Sequence, residues 1–340
     1  NAPSAINLNL ASSIASDGNG GTDTLSQIEN VAGTAYDDMM VGDSLDNRFV
    51  GGAGDDTLQG GMGNDTLEGG VGNDWAMYSG ATLAVTVDLV AGTASGGADS
   101  DVLSDIENVK GGDLNDYLVG DALANILDGG LGNDTLIGGA GDNTLIGGGG
   151  VDLIVGGSGN DSILTSAGSQ VIAGGGNDTI FFENIGQDFS NVSIDGGLGT
   201  DVLRLSGFNQ TFNVYGVDSL GAHVAAPISK IEVIDLGNGL NQLNLADSLE
   251  TIENLVNGEG TASLLRIDGD NGKVFLAAGW SSMGTGATTV IGGATYDLYS
   301  NAIGSGNDTL AVKQGIEVTY PTTLTPGDDN YSGDEKANFI

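Results

Sequence analysis

The chain has 340 residues, including 61 glycines, and its 46 acidic and 8 basic side chains give a formal net charge of −38. This balance argues against nucleic acid and anionic lipid as partners, because phosphate binding needs clustered lysine and arginine. The absence of cysteine excludes disulfides and thiolate metal sites.

Composition and local pattern nevertheless favour a folded chain. Hydrophobic residues make up 39% of the sequence and only 4 prolines occur, whereas disordered acidic chains have too few apolar residues to bury. Segments 83–90 (LAVTVDLV) and 230–236 (KIEVIDL) show the alternation and β-branched content of strands. No apolar run reaches the roughly 18 residues of a membrane span. We therefore predict an all-β chain, without membrane insertion, whose acids need a cation.

A nine-residue repeat of the form G-G-x-G-x-D-x-U-x, where U is a large aliphatic residue, occurs in two runs. Poorer copies lead into each run, and after the second run the repeat decays through TSAGSQVIA into GGGNDTIFF. The good copies begin at residues 51, 60 and 69 and at 129, 138, 147 and 156, and the poorer ones at 33, 42, 111 and 120.

A longer duplication encloses these runs. DTLSQIENV at 23–31 matches DVLSDIENV at 101–109, and Gly51 matches Gly129 at the same offset. Each block therefore has the same plan: apolar strands, an I-E-N-V step, poorer nonapeptides and then glycine-rich ones. We expect one block at 1–80 and a second at 81–181.

The nonapeptide resembles the RTX (repeats-in-toxin, hemolysin-type) calcium-binding repeat. The resemblance is dense over 16–181 and returns weakly at 196 and 305–310. It implies a right-handed parallel β-roll with calcium in the turns, in a bacterial protein that type I secretion delivers to the cell surface or the medium. The last residues, 321–340, look like 34–50, so we expect them to begin a further, truncated block of a longer protein.

Two nonapeptides would close one coil, so that residues two repeats apart stack. Glycines at positions 1, 2 and 4 suit a backbone with positive φ, and the aliphatic residue at position 8 suits a strand that faces the core. Aspartates stacked at the spacing of strands, about 4.7–4.9 Å, would repel by about 3.5 kcal/mol per pair, so a column needs a cation. The predicted columns are Asp38, Asp56 and Asp74; Asn47 and Asp65; Asp116, Asp134 and Asp152; and Asn125, Asn143 and Asp161, with Asp178 in the decaying repeat.

Oxygen ligands without histidine or cysteine favour calcium over zinc, and calcium tolerates about 6 to 8 oxygens in loose geometry. The RTX resemblance implies that the position-6 side chain binds together with the carbonyls of positions 1 and 3 on one turn and of positions 2 and 4 on the next. One site would use Gly51, Ala53 and Asp56 with Gly70, Gly72 and Asp74. The other predicted carbonyl ligands are Gly60, Met62, Gly129, Leu131, Gly138, Ala140, Gly148, Gly150, Gly157 and Gly159. Where asparagine replaces aspartate, at Asn47, Asn125 and Asn143, a turn without metal is an equal alternative.

Residues 182–320 have fewer glycines and longer aliphatic runs, which predicts a β-rich extension built as a wider solenoid or a sandwich. Asp268, Asp270 and Asn271 form an acidic turn that could hold one more calcium ion. Their spacing departs from the EF-hand pattern, which favours a solvated hairpin turn instead.

Catalytic signatures are absent from the sequence. His223 is the single histidine, and no zinc-protease, nucleophile-elbow or phosphate-loop motif occurs. The abundant carboxylates would allow a glycosidase-like pair, but most of them are assigned to repeat position 6. For Trp75, Met77 and Tyr78, at the end of the first run, a core or capping role is favoured over a contact patch. We predict that the chain is not an enzyme.

These observations favour a calcium-dependent extracellular module that binds several Ca²⁺ ions and folds after secretion, as part of a bacterial surface adhesin or S-layer-like protein. Neighbouring copies, a cell-surface glycan, or a host or abiotic surface are the expected further partners. The alternative is the C-terminal module of a secreted exoenzyme such as a protease, lipase or alginate epimerase. A third possibility, ice or polysaccharide binding, needs a regular threonine ladder, which Trp75, Leu153 and Ser162 interrupt at position 7.

Overall fold

All regular structure in the described part of the chain is β-strand. The chain divides into two compact units, Asn1–Ile180 with Gly196–Gly199 and Phe181–Asp195 with Thr200–Ile340. The computed structural model describes residues 3–16, 20–96, 99–183, 192–206, 211–213, 215–217, 223–225, 228–236, 242–245, 264–268, 273–276, 280–282, 288–291, 294–301, 309–314 and 316–319.

The strands are short, because only the last few positions of each nonapeptide lie outside the turn. The strands up to Gly175 are β1 (Asn7–Asn9), β2 (Ile14–Ser16), β3 (Asp23–Thr24), β4 (Asn30–Ala32), β5 (Met39–Val41), β6 (Arg48–Ala53), β7 (Thr57–Gln59), β8 (Thr66–Val71), β9 (Trp75–Met77), β10 (Val85–Asp88), β11 (Thr93–Gly96), β12 (Asp99–Ser104), β13 (Asn108–Lys110), β14 (Tyr117–Val119), β15 (Ile126–Asp128), β16 (Thr135–Ala140), β17 (Thr144–Ile146), β18 (Leu153–Ser158), β19 (Ser162–Ser166) and β20 (Gln170–Gly175). The later strands are β21 (Thr179–Glu183), β22 (Ser193–Leu198), β23 (Val202–Ser206), β24 (Thr211–Asn213), β25 (Tyr215–Val217), β26 (His223–Ala225), β27 (Ile228–Ser229), β28 (Val233–Asp235), β29 (Gln242–Leu245), β30 (Leu264–Asp268), β31 (Lys273–Leu276), β32 (Trp280–Ser282), β33 (Thr288–Ile291), β34 (Ala294–Asn301), β35 (Thr309–Lys313) and β36 (Glu317–Thr319).

Strands that lie two nonapeptides apart pair in parallel, which confirms that two nonapeptides form one coil. Met39 pairs with Thr57 on one side of the roll, and Arg48 pairs with Thr66 on the other. The second block repeats the step through β16 with β18 and β17 with β19. The predicted parallel β-roll is confirmed, and each side of the roll is a ladder of stacked short strands.

The core of the roll is a stack of position-8 side chains. A side chain at this position points inward from its strand, and the two-repeat step places the next one directly against it. These residues are fully buried: Met40, Phe49, Leu58, Leu67, Ala76, Leu118, Leu127, Leu136, Leu145, Ile154 and Ile163.

The two blocks join through a three-stranded meander. Strands β10, β11 and β12 are antiparallel to one another. At one edge β12 pairs in parallel with β8 of the first block, and at the other β10 pairs in parallel with β14 of the second. On the opposite side, β13 pairs in parallel with both β9 and β15. The strand ladder therefore continues from one block into the next.

The second block ends with a shortened coil. Leu153 pairs with Gln170, which is one position short of two full nonapeptides, and the register is kept as far as Ser158 with Gly175. The missing residue falls in the turn of the decaying copy TSAGSQVIA. The strand ladder tolerates this deletion because only the turn changes length.

The second unit has longer coils. Val202 pairs in parallel with Val233, and Thr211 pairs with Gln242 at the same sequence offset, which is well beyond two nonapeptides. Strands β29 and β31 repeat this step in parallel, and β33 and β34 form an antiparallel excursion. Of the two predicted architectures, this spacing is that of a wider solenoid. Residues Asp270, Asn271 and 321–340 lie outside the described part of the chain, and the boundaries expected at 80, 181 and 320 stay predictions.

Among the described residues no helix is long and apolar enough to cross a membrane.

Candidate metal centre

The position-6 side chains form buried ladders along both sides of the roll. Asp56 Oδ1 accepts a hydrogen bond from the backbone N–H of Asp38 at 2.7 Å, and Asp74 Oδ1 accepts one from Asp56 N–H at 2.7 Å. In the second block Asp116 N–H donates to Asp134 Oδ1 at 2.8 Å, and Asp134 N–H to Asp152 Oδ1 at 3.0 Å. The side chains of the predicted columns are therefore stacked. One carboxylate oxygen of each of these aspartates accepts a hydrogen bond from the backbone of the preceding coil.

In five of the position-6 aspartates the second carboxylate oxygen has no hydrogen-bond donor. The Oδ2 atoms of Asp56, Asp65, Asp74, Asp134 and Asp161 are buried and accept no hydrogen bond. A buried carboxylate oxygen without a donor or a cation costs free energy that a native structure normally avoids. These oxygens are the ones that a bound cation would satisfy.

Main-chain carbonyls stand beside these oxygens, and the position-1 glycines make room for them. A β-carbon placed on Gly51 would collide with Asp56 Oδ2 and would lie 2.6 Å from the carbonyl oxygen of Gly69, one coil further on. Gly129 is placed likewise, against Asp134 Oδ2 and the carbonyl of Gly147. The absence of a side chain at position 1 therefore leaves space between a carboxylate and a carbonyl oxygen.

The expectation of positive φ at position 1 is wrong. Positive φ occurs at positions 2 and 4, for example at Gly52 (φ 120°) and Gly54 (φ 114°), whereas Gly51 does not have it. Glycine is needed at position 1 for space, because the carboxylate and the carbonyl of the next coil lie where a β-carbon would be. At positions 2 and 4 it is needed for backbone conformation as well.

A pair of adjacent glycines tests this requirement. We expect Gly174→Ala to lower the free energy of unfolding by about 2 kcal/mol, because Gly174 has φ 113° and its β-carbon would collide with the Gly157 carbonyl oxygen. Gly175→Ala, with open space around its β-carbon and no positive φ, should change it by no more than about 0.5 kcal/mol. Urea unfolding in saturating calcium measures both, and equal effects would contradict the interpretation.

Burial raises the pKa of the position-6 aspartates. Removal from water penalises the charged form, and neighbouring aspartates add to this, while the accepted backbone hydrogen bond partly opposes it. The pKa rises from an ordinary 3.8 to about 6 for Asp56, Asp65, Asp134 and Asp161. It is raised for the same first reason at Asp74, Asp101, Asp116 and Asp152. Without a cation, the ladders are unfavourable at neutral pH.

Among the described residues, no lysine or arginine forms an ion pair with the eight position-6 aspartates from Asp38 to Asp161. The ion pairs found in the described part of the first unit are Arg48 with Glu68, at 2.9 Å, and Lys110 with Asp128. Both acids lie outside repeat position 6. A metal ion is therefore needed for charge balance, and the donor set of carboxylate and carbonyl oxygens suits calcium.

Two of the asparagines at position 6 differ from the aspartates, because their side-chain amides donate hydrogen bonds to backbone carbonyls. Asn143 Nδ2 donates to the Gly141 carbonyl at 3.1 Å, and Asn125 Nδ2 donates to the Glu107 carbonyl at 2.8 Å. These amide nitrogens take the place of a ligand oxygen, which favours the turn without metal at both positions. Asn47 differs, because its Nδ2 is buried without a partner.

Three ladder positions were missed at the sequence level. Asp101 Oδ1 accepts from Asp65 N–H at 2.9 Å, and a Glu107 carboxylate oxygen accepts from Asp74 N–H at 2.8 Å. Ser169 Oγ accepts from Asp152 N–H at 3.0 Å at the shortened coil. The long duplication, which repeats an aspartate and an I-E-N-V step, was the signal that could have found the first two. No repeat signal marks Ser169.

The residues at the end of the first run lie at the block junction. Trp75 and Met77 are half-buried in β9, between β7 and β13. The hydroxyl of Tyr78 donates to Asp101 Oδ2 at 3.1 Å. Burial and the charge of Asp101 raise the Tyr78 pKa well above 10.0, so the hydroxyl stays a donor. This placement agrees with the predicted core or capping role.

Side chains alone do not make a complete metal site here. Among the described residues no group of three or more His, Cys, Asp or Glu side chains converges. A calcium ion in the turns would therefore depend on one or two carboxylates supplemented by main-chain carbonyls, as the position-1 geometry provides. The family model of the RTX calcium-binding nonapeptide repeat matches four times, at residues 41–76, 110–145, 128–163 and 146–180. Over these residues the chain belongs to the RTX family.

RTX nonapeptide repeats bind Ca²⁺ in multiple sites, and such repeats are typical of type I-secreted extracellular proteins. The matched residues are thus calcium-binding RTX repeats, which form a structural module. No match to the chain was found among curated proteins. The individual ligands stay predictions, including Ala53, Met62, Leu131 and Ala140 at position 3. The Gly69 carbonyl oxygen, which is not in the predicted set, lies 2.6 Å from the place that a β-carbon on Gly51 would occupy.

Proposed function

We propose that this RTX module is a calcium-gated structural segment of a bacterial surface adhesin or S-layer-like protein. The observation that carries the proposal is the uninterrupted strand ladder across the block junction, where β8 pairs with β12 and β9 with β13. Joining blocks without a flexible linker produces length and stiffness, which a surface scaffold needs.

Gating follows from the buried charge. Each position-6 aspartate from Asp38 to Asp161 is at most 3% exposed, and its charge is unfavourable without a cation. In the cytosol, where calcium is scarce, the ladders would repel and the repeats would stay unfolded and exportable. Outside the cell, calcium would neutralise the ladders and fold the roll.

The chain's own part in the proposed function is scaffolding. Its contribution would be to place other segments of the parent protein against neighbouring copies, a cell-surface glycan, or a host or abiotic surface. Most of the polar side chains that are buried among the described residues of the first unit lie in the ladders or at the junction, which supports a structural role.

Localisation in the producing bacterium tests this proposal. Antibodies against the chain should label intact cells in calcium-containing medium, and most of the antigen should sediment with the cells. If the antigen instead accumulates in the culture supernatant together with protease, lipase or epimerase activity that the same antibodies deplete, the exoenzyme alternative replaces the scaffold.

A further inference from the structure

The first block carries a second copy of the junction surface. We define the entry face as β3, β4 and the I-E-N-V step, residues 23–32, which correspond to 101–110 in the long duplication. The backbone conformation is duplicated as well: Gln27 has φ 58° and its counterpart Asp105 has φ 51°. The two surfaces are therefore built alike, although only one of them is covered by a nonapeptide coil.

The covered copy shows which contacts such a surface makes. Val102 N–H donates to the Asp65 carbonyl at 2.8 Å, and Asn108 N–H donates to the Asp74 carbonyl at 2.9 Å. In return, Asp101 and Glu107 accept the N–H groups of the same two aspartates. All these bonds involve backbone groups of a nonapeptide coil, so any coil of this kind provides the same partners.

The entry face has the same groups exposed. Ile28 is 39% exposed, whereas its counterpart Ile106 is 6% exposed. Asp23 and Asn30 are exposed, whereas Asp101 and Asn108 are buried. Among the described strands β4 pairs only with β6, and β3 only with β2. An apolar side chain, two strand edges and the carboxylate of Glu29 are thus presented together.

A third I-E step, in the second unit, has the same covered geometry. A Glu232 carboxylate oxygen accepts from Asp201 N–H at 2.7 Å, and the Asp201 carbonyl accepts from Val233 N–H at 3.0 Å. Lys230, two positions before the glutamate, has φ 55°. Two of the three I-E steps are therefore hydrogen-bonded to a position-6 aspartate of the coil before them.

We propose that the entry face is a docking surface for the last coil of a further nonapeptide block, placed ahead of Asn1 in the same polypeptide. The connection supports one polypeptide, because in the covered copy the chain runs from Tyr78, at the end of a nonapeptide coil, straight into the meander that carries the covered surface. The proposal does not depend on whether the parent protein is an adhesin or an enzyme.

The docking coil must carry glycine at position 1. A β-carbon on Gly69 would collide with the carbonyl oxygen of Asp105, whose counterpart in the entry face is the Gln27 carbonyl. An aliphatic position-8 residue such as Leu67 would continue the core. These requirements select a nonapeptide coil over an arbitrary β-strand.

A fusion tests the proposal with the full chain. A second copy of residues 1–78 is joined ahead of Asn1, which preserves the register of the internal duplication. In saturating calcium, amide hydrogen exchange at Thr24 and Asn30 of the original copy should slow by about tenfold or more relative to the unfused chain, because their N–H groups gain carbonyl acceptors. The readout is site-resolved exchange by NMR.

Two variants make the test specific. Gly69→Ala in the added copy should abolish the slowing. Glu29→Ala should leave exchange at Thr24 and Asn30 unchanged in the unfused chain but reduce the slowing in the fusion. Unchanged exchange in the wild-type fusion, or an added block that stays unfolded, would overturn the proposal. So would a calcium-dependent dimer of the unfused chain that protects the same amides, since the occupant would then be a second copy.

Discussion

Calcium-free protein at pH 7.5 is expected to lose most of its β-sheet circular dichroism, and added calcium to restore it cooperatively between about 10 µM and 1 mM. The reason is the set of buried ladder carboxylates with unpartnered Oδ2 atoms, which repel one another until a cation binds. When the calcium concentration is 100 times the Kd of a site, binding at that site adds about 2.7 kcal/mol to the free energy of unfolding. Several such sites supply much of the roughly 5–15 kcal/mol that stabilises a domain.

Substitutions at two neighbouring aspartates separate ligation from overall charge. Asp56→Asn keeps an oxygen for the backbone hydrogen bond but replaces the buried Oδ2 with an amide nitrogen, so the calcium midpoint should rise by about tenfold. Asp55→Asn is the matched control. It removes the same charge from an exposed neighbour whose Oδ1 accepts the Asn73 N–H at 2.9 Å, and it should leave the midpoint nearly unchanged.

Magnesium serves as the ion control, because it requires tighter octahedral geometry than a set of main-chain carbonyls provides. Magnesium alone should not restore the β-sheet signal at millimolar concentration. Complete β structure in the calcium-free protein would refute calcium-gated folding. A midpoint that shifts equally for Asp55→Asn would show that net charge, and not ligation by position 6, controls folding.

Acidification is expected to fold the calcium-free chain in part. The pKa of Asp56, Asp65, Asp134 and Asp161 is about 6 in the folded state because burial penalises the charged form, whereas an aspartate in an unfolded chain titrates near 3.9. The folded state thus binds more protons between these values. Its protonation-linked stability is complete below about pH 4 and is lost as the pH rises through about 6.

Circular dichroism in calcium-depleted buffer, without a chelator that itself titrates, measures this effect. The β-sheet signal should grow as the pH falls from about 7.5 to 5, and the Asp56→Asn variant should show a shallower dependence. In the presence of calcium the direction reverses, because protons compete for the same oxygens and raise the calcium midpoint below about pH 6. A calcium-free signal that is flat across this range would contradict the buried-charge explanation.

The calcium titration and the acidification of the calcium-free chain both test the same cause, which is the buried negative charge of the ladders. Calcium and protons each neutralise the position-6 ladders, and both should therefore favour the folded roll when acting alone. Together they should antagonise each other. A chain whose calcium dependence came from a surface ion pair would show neither the acid-induced folding nor the competition.

The sequence by itself determined the roll and its ladders. The nine-residue period is also the period of the structure, so Asp38, Asp56 and Asp74 could be aligned by counting, and stacking carboxylates required a cation of calcium's kind. The core column, from Met40 to Ile163, follows from the same count. Local repetition makes such contacts predictable, because every coil contacts only the coil before and after it.

Only the tertiary structure decided the contacts that do not follow the nine-residue repeat. Asp101 and Glu107 replace position-6 residues because a meander brings them back against Asp65 and Asp74, across a gap much longer than one coil. The space at position 1 depends on a carbonyl from the next coil, which no local pattern encodes. The longer coils of the second unit likewise depend on which strands pair across long loops. Contacts that join residues distant in sequence, and that no repeat predicts, are set by packing. Packing is defined only when the coils are assembled.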